Sequence, residues 1–525
     1  MKRTALTIVV AVCALLAGCG GGAAGGGLAG PAPSMEQSDT SGRAPRPAPS
    51  PAPGPDAPVP APTAPGPDAP APSTAPQPSG ASGPNAIQRE NARGASDGVS
   101  TGWQLKLTSL PGHVIEGYAS ATSVGRGESI RIFVNTSAPS FELSVYRIGW
   151  YGGVGGRLMQ GPVTLPGEVQ PPPAQDAATG LIECDWRHPY EFKVPSAWVS
   201  GVYLVKLTAA SGLQSYVVFV VRDDARPARF LFQSSVTTFQ AYNSWGGRSL
   251  YVGGASKVSF NRPYSNWTGT GEFLRFEINA VRFLEREGVD VSYATNIDVD
   301  ADPSRLLRYR AFLSVGHDEY WTLAERNALE AARDSGVNLG FFGANTGYWQ
   351  VRLEPSAIDG APRRTLVGYK EHCSSDPLYA TAPQQATCRW RDPPLNRPEA
   401  SLVGVMYAYS PVLGDLVIAD CPAILCAGTT LTTGSVLPGM LGYEGDAVAA
   451  SSPPGIVIVG ASPFVDPQGL GHVFHTTLYT APSGAQVFAA GSMRWNWGLD
   501  GYAAKGPGNA DVQQMTRNVL ALLGR

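Results

Sequence analysis

Between residues 100 and 222, apolar and polar positions alternate in short runs broken by turn residues. Residues 129–134, 141–146, 201–207 and 215–220 each read this way, and no stretch of helical period intervenes. Several short period-two runs predict an antiparallel β-sandwich of the immunoglobulin-like kind. After Pro227 the grammar changes. Residues 229–233 read as a buried strand, 273–287 as an amphipathic helix stopped by Gly288, 289–294 as a strand, 304–308 as a short helix and 311–315 as a strand. Thr322 and Glu325 stand at capping-box spacing and open a helix that closes at Gly336; residues 337–342 follow as a strand. Strands alternating with helices predict a mainly parallel, helix-covered sheet. Residues 456–460 and 486–490 are expected to complete it, and 512–523 to form a closing helix.

The start of the chain fits neither pattern. Lys2 and Arg3 precede an apolar run over residues 5–17, too short to span a bilayer and laid out like a secretory segment. It ends in Leu16-Ala17-Gly18-Cys19, similar to the lipobox of bacterial lipoproteins, which makes Cys19 the expected lipidation site and residues 1–18 the cleaved signal. Gly20 rather than an aspartate after the cysteine favours the outer membrane of a Gram-negative cell. The expected location is therefore the bacterial cell envelope, lipid-anchored, at the outer membrane or periplasmic face. Residues 19–95 are Gly-rich and then Pro/Ala/Ser-rich, too poor in apolar residues to offset ordering entropy, and read as a spacer. The organisation expected is a signal (1–18), a spacer (19–95), a sandwich (96–226) and an α/β domain (227–525).

Charge changes the picture by exclusion. A net charge of -3 and the lack of basic runs argue against nucleic acid as a partner. No later segment is long and apolar enough to be transmembrane. After Cys19 come Cys184, Cys373, Cys388, Cys421 and Cys426. Export permits disulfides; Cys373–Cys388 and Cys421–Cys426 are the pairs nearest in sequence, leaving Cys184 over. No Cys/His grouping has zinc spacing.

Ligands gather beyond the carboxyl ends of parallel strands. The strand over 311–315 runs into Gly316-His317-Asp318-Glu319-Tyr320-Trp321, and the next runs into Gly343-Ala344-Asn345. Two positions apart on an extended exit, His317 and Glu319 point the same way. An imidazole, a carboxylate and an amide thus meet at one pocket mouth, and His317, Glu319 and Asn345 form the first candidate site. The unusually long connection after the first strand carries Gln240-Ala241-Tyr242-Asn243-Ser244-Trp245-Gly246-Gly247, Ser249-Leu250-Tyr251 and Asn261-Arg262-Pro263-Tyr264. Its tyrosines serve as aromatic walls, hydrogen-bond donors or phenolate ligands of a hard metal; a lone tyrosine more often simply packs. Asp318 reads equally as a helix cap, Glu444 as a solvated acid in a turn-rich segment, and His472 and His475 as residues of a Gly-rich loop.

At these residues the chain resembles the carboxyl-terminal region of the large (beta) subunit of N,N-dimethylformamidase and its relatives. The resemblance runs from about residue 115 to 500 and includes Glu116-Gly117-Tyr118-Ala119-Ser120, Tyr146-Arg147-Ile148-Gly149-Trp150-Tyr151-Gly152-Gly153, the Tyr242 motif, Arg262-Pro263-Tyr264, the His317 cluster and Phe342-Gly343-Ala344-Asn345. The tail Val487-Phe488-Ala489-Ala490-Gly491-Ser492 with Trp495 looks like that of glutamine-amidotransferase-like α/β domains. The resemblance implies a mononuclear Fe3+ site of two tyrosinates and one glutamate that hydrolyses a small amide. Carried over, Glu319 is the carboxylate ligand, Tyr242 the first tyrosine and Tyr264 the second, with Tyr251 as the fallback. His317, Asn345 and Glu444 match catalytic or supporting positions.

That enzyme looks cytoplasmic, with a small partner subunit and additional amino-terminal sequence; here an anchor and a spacer stand in that place. An envelope location favours an amide in an exported polymer, a peptide-like molecule or a scavenged nutrient. The expected partners are a small-molecule or polymer amide and the membrane through Cys19, with a homo-oligomer left open. The alternative is a non-catalytic envelope lipoprotein or glycan-binding module that uses the same Tyr/Trp-rich loops; a third option is another hydrolase or isomerase on this fold.

Overall fold

The computed structural model describes residues 83–525 apart from 110–111, 227 and 503–507, and the side chain of Trp267 is also left out. Cys19, the signal and nearly all of the spacer lie outside the described residues.

Two sheets form the first part. One orders Ile115–Ala119, Ser129–Thr136 and Tyr190–Lys193; the other orders Ser123–Gly125, Gln214–Arg222, Gly201–Ala209, Ser140–Ile148 and Gly156–Pro166. All pairings are antiparallel except that of Ser123–Gly125 with Gln214–Arg222. Alternation decides the faces: Ile130, Ile132 and Val134 pack with Phe141, Leu143, Val145, Leu207 and Phe219 in one core. Burying each such side chain contributes about 1.5–3 kcal/mol. The strand Gly201–Ala209 is buried on both faces. Tyr203, Val205 and Leu207 enter the core between the sheets, while Val202 and Leu204 join the main core with Trp103, Phe232 and Val291. The back of this sheet is thus a wall of the second part.

The second part is built on a mixed seven-stranded sheet, in the order Val291–Thr295, Phe230–Ser234, Ala311–His317, Asn338–Ala344, Gln486–Ala489, Gly471–Thr480, Val457–Val465. The first five strands are parallel. The last two are antiparallel, which corrects the expectation that 456–460 extends the parallel ladder. His472 and His475 lie on the strand Gly471–Thr480, not in a loop. Glu444 lies on Val436–Ala447, which pairs with Met406–Val417 in a long hairpin, not in a turn.

Helices Ile278–Arg286, Leu323–Asp334 and Ala510–Leu523 carry buried apolar faces. Thr322 caps the second by accepting the Glu325 N–H at 3.1 Å. The Glu325 side chain does not close the box; it turns into the core to accept from Gln233 (2.7 Å) and Asn296 (2.8 Å). The end of the expected spacer also belongs to the fold. Ala86–Asn91 is a helix, with Asn85 donating to the Gly288 carbonyl (2.8 Å) and Asn91 to Glu285 (2.7 Å). Disulfides join Cys373 to Cys388 and Cys421 to Cys426, and Cys184 is free and buried. Among the described residues no helix is long and apolar enough to cross a membrane.

Candidate active site

Glu319 leaves the carboxyl end of Ala311–His317 just after a sharp bend. Gly316 makes that bend with φ 75°, and a Cβ there would stand 2.6 Å from the Phe276 Cβ, so no other residue fits. The Thr238 hydroxyl accepts the Glu319 N–H (3.0 Å), pinning the exit to the helix Val236–Ala241. Tyr242 follows that helix directly. Its hydroxyl donates to Glu319 Oε2 at 2.7 Å. The Tyr251 hydroxyl lies 2.9 Å from that of Tyr242 and 3.1 Å from Glu319 Oε1, and the Tyr320 hydroxyl 2.5 Å from that of Tyr251. The Tyr242 and Tyr251 rings stack with centroids 4.3 Å apart, and the Lys370 ammonium sits 3.1 Å above the Tyr251 ring.

His317 faces the same carboxylate. Its Nδ1 is 2.9 Å from Glu272 Oε2; its Nε2 is 3.1 Å from Glu319 Oε2 and 3.7 Å from Glu444 Oε2. The Nε2 contacts are close but not aligned as hydrogen bonds. Three buried atoms at this spot therefore have no hydrogen-bond partner: His317 Nε2, Glu444 Oε2 and Asn345 Oδ1. Asn345 directly follows the strand Asn338–Ala344, at φ 54°, and donates its N–H to Asp446 Oδ1 (2.8 Å). Orphaned polar atoms in a buried site are costly unless something else meets them.

Burial opposes charge throughout the cluster; the local ions win at His317 and Glu319, and burial wins at Glu444 and Lys370. It would lower the His317 pKa, but the carboxylates of Glu272, Glu319 and Glu444 together hold the imidazole well above its ordinary value. Burial would raise Glu319, yet the close His317 imidazolium, with Lys370, brings it below its usual range. Burial pushes Glu444 up to about 8, against His317 and helped by Glu319. Burial and the Glu319 charge push the Tyr242 and Tyr251 phenols far up. Burial pulls the Lys370 ammonium down to about 8, with Glu319 opposing.

His317, Glu319, Tyr242 and Glu444 are thus in contact, with Asn345 beside Glu444. Tyr264 is placed elsewhere: its ring meets Phe239 edge-on at 6.3 Å and lines a separate cavity with Tyr118 and Arg364. Tyr251, the fallback, is the tyrosine whose hydroxyl meets the Glu319 carboxylate and the Tyr242 hydroxyl. Asp318 is no helix cap; its carboxylate accepts from Ser314 (2.8 Å), Gln233 (3.1 Å) and Asn296 (3.0 Å). Sequence reasoning missed Glu272 and Lys370. Glu272 stands directly before the helix expected from 273, an available signal; Lys370 lies in a segment without periodicity. Among the described residues no group of three His, Cys, Asp or Glu side chains is arranged to hold a metal. The Tyr242–Tyr251–Glu319 set has a different composition.

A β-rich chain with a Tyr/Glu/His cluster at the carboxyl ends of parallel strands is the class these observations define. The chain belongs to the family described as N,N-dimethylformamidase beta subunit-like, C-terminal, whose family model matches residues 142–510. It is similar to the N,N-dimethylformamidase beta subunit of an Alcaligenes species, with 25% identity over 222 residues. That match covers 33% of this chain and 29% of the relative, so the chain spans under a third of that protein. Solved structures give weaker likenesses. A Paenibacillus cycloisomaltooligosaccharide glucanotransferase matches at 10% identity over 48% of this chain and 33% of its own, TM-score 0.14. Murine CEACAM1b matches at 11% identity over 23% and 62%, TM-score 0.12. At such scores neither carries an argument.

Proposed function

We propose that the protein is an amidohydrolase that cleaves the C–N bond of a small or exposed amide, on an immunoglobulin-like sandwich joined to a glutamine-amidotransferase-like sheet. One observation carries the reading: the Tyr242 and Tyr251 hydroxyls both meet the Glu319 carboxylate within 2.7–3.1 Å, with unpartnered His317 Nε2 and Glu444 Oε2 beside it. Two phenol oxygens and a carboxylate suit a hard cation such as Fe3+ better than zinc or copper. Tyr242, Tyr251 and Glu319 would hold it, and when bound it supplies Lewis-acid polarisation of an amide carbonyl.

The chain's own groups account for the proton movements. Glu272 fixes the His317 ring through Nδ1, so Nε2 is aimed at the site. Glu444, with its pKa pushed up to about 8, is suited to accept the proton of an attacking water and return it to the departing amine. The Asn345 amide, beside Glu444, would serve as a donor to a developing oxyanion, an interaction typically worth about 2.7–4 kcal/mol. Tethering at the cell envelope through Cys19 is part of this proposal; it favours exported or scavenged amides as substrates.

Metal analysis and a visible spectrum of the purified full chain test the reading. About one iron per chain is expected, with a tyrosinate-to-iron charge-transfer band lost in Tyr242→Phe and Tyr251→Phe but kept in Tyr264→Phe. A colourless, metal-free protein after growth in ample iron would sink it. A screen of formamides, acetamides and N-acylated sugars then addresses substrate. A second reading, a non-catalytic glycan-binding module, draws support from an open groove lined by His113, Glu116, Ser244, Trp245 and Ser265. Sugar binding without iron or turnover would favour it.

A further inference from the structure

Away from the His317 cluster, a cavity of roughly 30 Å³ lies between the two-sheet part and the parallel sheet, lined by Tyr118, Phe219, Ser234, Arg262, Tyr264 and Arg364. It has room for a small ion or one or two waters. Arg262 and Arg364 are 1% and 5% exposed, and neither forms an ion pair among the described residues. Arg364 donates to Asn261 Oδ1 (2.8 Å) and to the carbonyls of Ala119 and Phe260 (both 2.9 Å). Arg262 donates to the carbonyls of Asn243 (2.7 Å), Arg248 (2.9 Å) and Trp245 (3.0 Å), and its buried Nε has no partner. Carbonyl dipoles solvate a guanidinium without neutralising it.

The charges nearby leave an excess. Glu183 is the buried acid that Arg364 senses; it is tied up by Ser259 (3.1 Å) and Asn261 (2.9 Å). One buried carboxylate therefore stands against two buried guanidiniums, with Asp359 acting on Arg364 only from the exposed surface. Glu277, which accepts from Ser234 (2.8 Å), is pushed up to about 8 by burial and holds its proton at neutral pH. Burial also pulls both arginines down to about 10, a sign that the pair lacks a counter-charge. Buried charges in proteins are paired. Tyr264 belongs to the wall of the same cavity.

We propose that this cavity binds one small monovalent anion, of the size of chloride or formate, through the Arg262 and Arg364 guanidiniums and the Tyr264 hydroxyl. The anion would also cement the two parts of the fold, because Arg364 reaches across to the Ala119 carbonyl.

The test uses the full chain, exchanged into sodium gluconate and titrated with sodium chloride or sodium formate at constant ionic strength. A saturable rise in Tm of roughly 2–4 °C is expected with at least one of the two small anions and none with further gluconate. For chloride, it should come with chlorine-35 NMR line broadening. The anion that acts identifies the source, halide or carboxylate. Arg364 also supports the backbone, so Tyr264→Phe, which keeps the ring, is the variant of choice; its half-saturating concentration should rise several-fold. An equal response to all three anions would overturn the proposal. So would saturation unchanged in both Tyr264→Phe and Arg262→Gln. The iron spectrum is independent of these outcomes.

Discussion

Glu277 accepts the Ser235 N–H and the Ser234 hydroxyl, each at 2.8 Å, deep under the sheet. Burial pushes its pKa up to about 8 from an ordinary value near 4.5, so the folded chain holds a proton that the unfolded chain gives up. Its contribution to stability is complete below about 4.5 and is lost as pH climbs through about 8. A glutamine at this position accepts the Ser235 N–H through its amide oxygen and donates from its amide nitrogen to the Ser234 hydroxyl, without that dependence. Glu277→Gln should therefore gain stability over the parent between pH 5 and 8, on the order of 2 kcal/mol by urea unfolding; a pH-independent difference would refute the account. At this scale legibility follows the backbone. His317 and Glu319 were readable as neighbours because period-two geometry fixes their side. The choice between Tyr251 and Tyr264 was not, since both lie in one long connection whose course depends on tertiary bonds such as those of Arg262 to three loop carbonyls.

Elements join through a few buried polar pairs. Arg147, on the strand Ser140–Ile148, meets Glu285, on helix Ile278–Arg286, through Nη2–Oε1 (2.5 Å) and Nη1–Oε2 (2.8 Å), with both side chains fully buried. Glu285→Ala leaves a buried guanidinium unpaired and should cost about 3–5 kcal/mol, read as a fall in Tm, whereas Arg147→Met with Glu285→Leu should restore much of the loss. A double variant no better than the single would show that packing, not charge, dominates there. Strands with clean alternation and helices with caps were legible. The strand Gly471–Thr480 was not: its more exposed first half starts at a glycine and carries His472 and His475, and pairing with Val457–Val465 is what makes it a strand.

For the whole molecule, the decisive feature is the double burial of Gly201–Ala209 and Gln214–Arg222. Their near-continuous apolar runs were visible in the sequence, but what covers the second face was not. Val202, Leu204 and Tyr216 share a core with Phe232 and Val291 of the parallel sheet. The two parts should consequently unfold in one transition. Residues 227–525 expressed alone should bind ANS and lose cooperative melting; a soluble fragment with a sharp transition would refute this.

The Cys373–Cys388 bridge lies next to the wall of the site. Lys370, over the Tyr251 ring, donates its N–H to the Thr387 carbonyl (3.1 Å), so the segments flanking the bridge are clasped together beside that wall. Closing a separation of 15 residues is worth about 3 kcal/mol to the folded chain. Reduction removes the cross-link and leaves the Lys370–Thr387 bond to hold these segments alone. The ammonium above Tyr251 thus sits on a segment held both by the Thr387 bond and by the bridge, so the redox state of this cysteine pair bears on how firmly one side of the site is held.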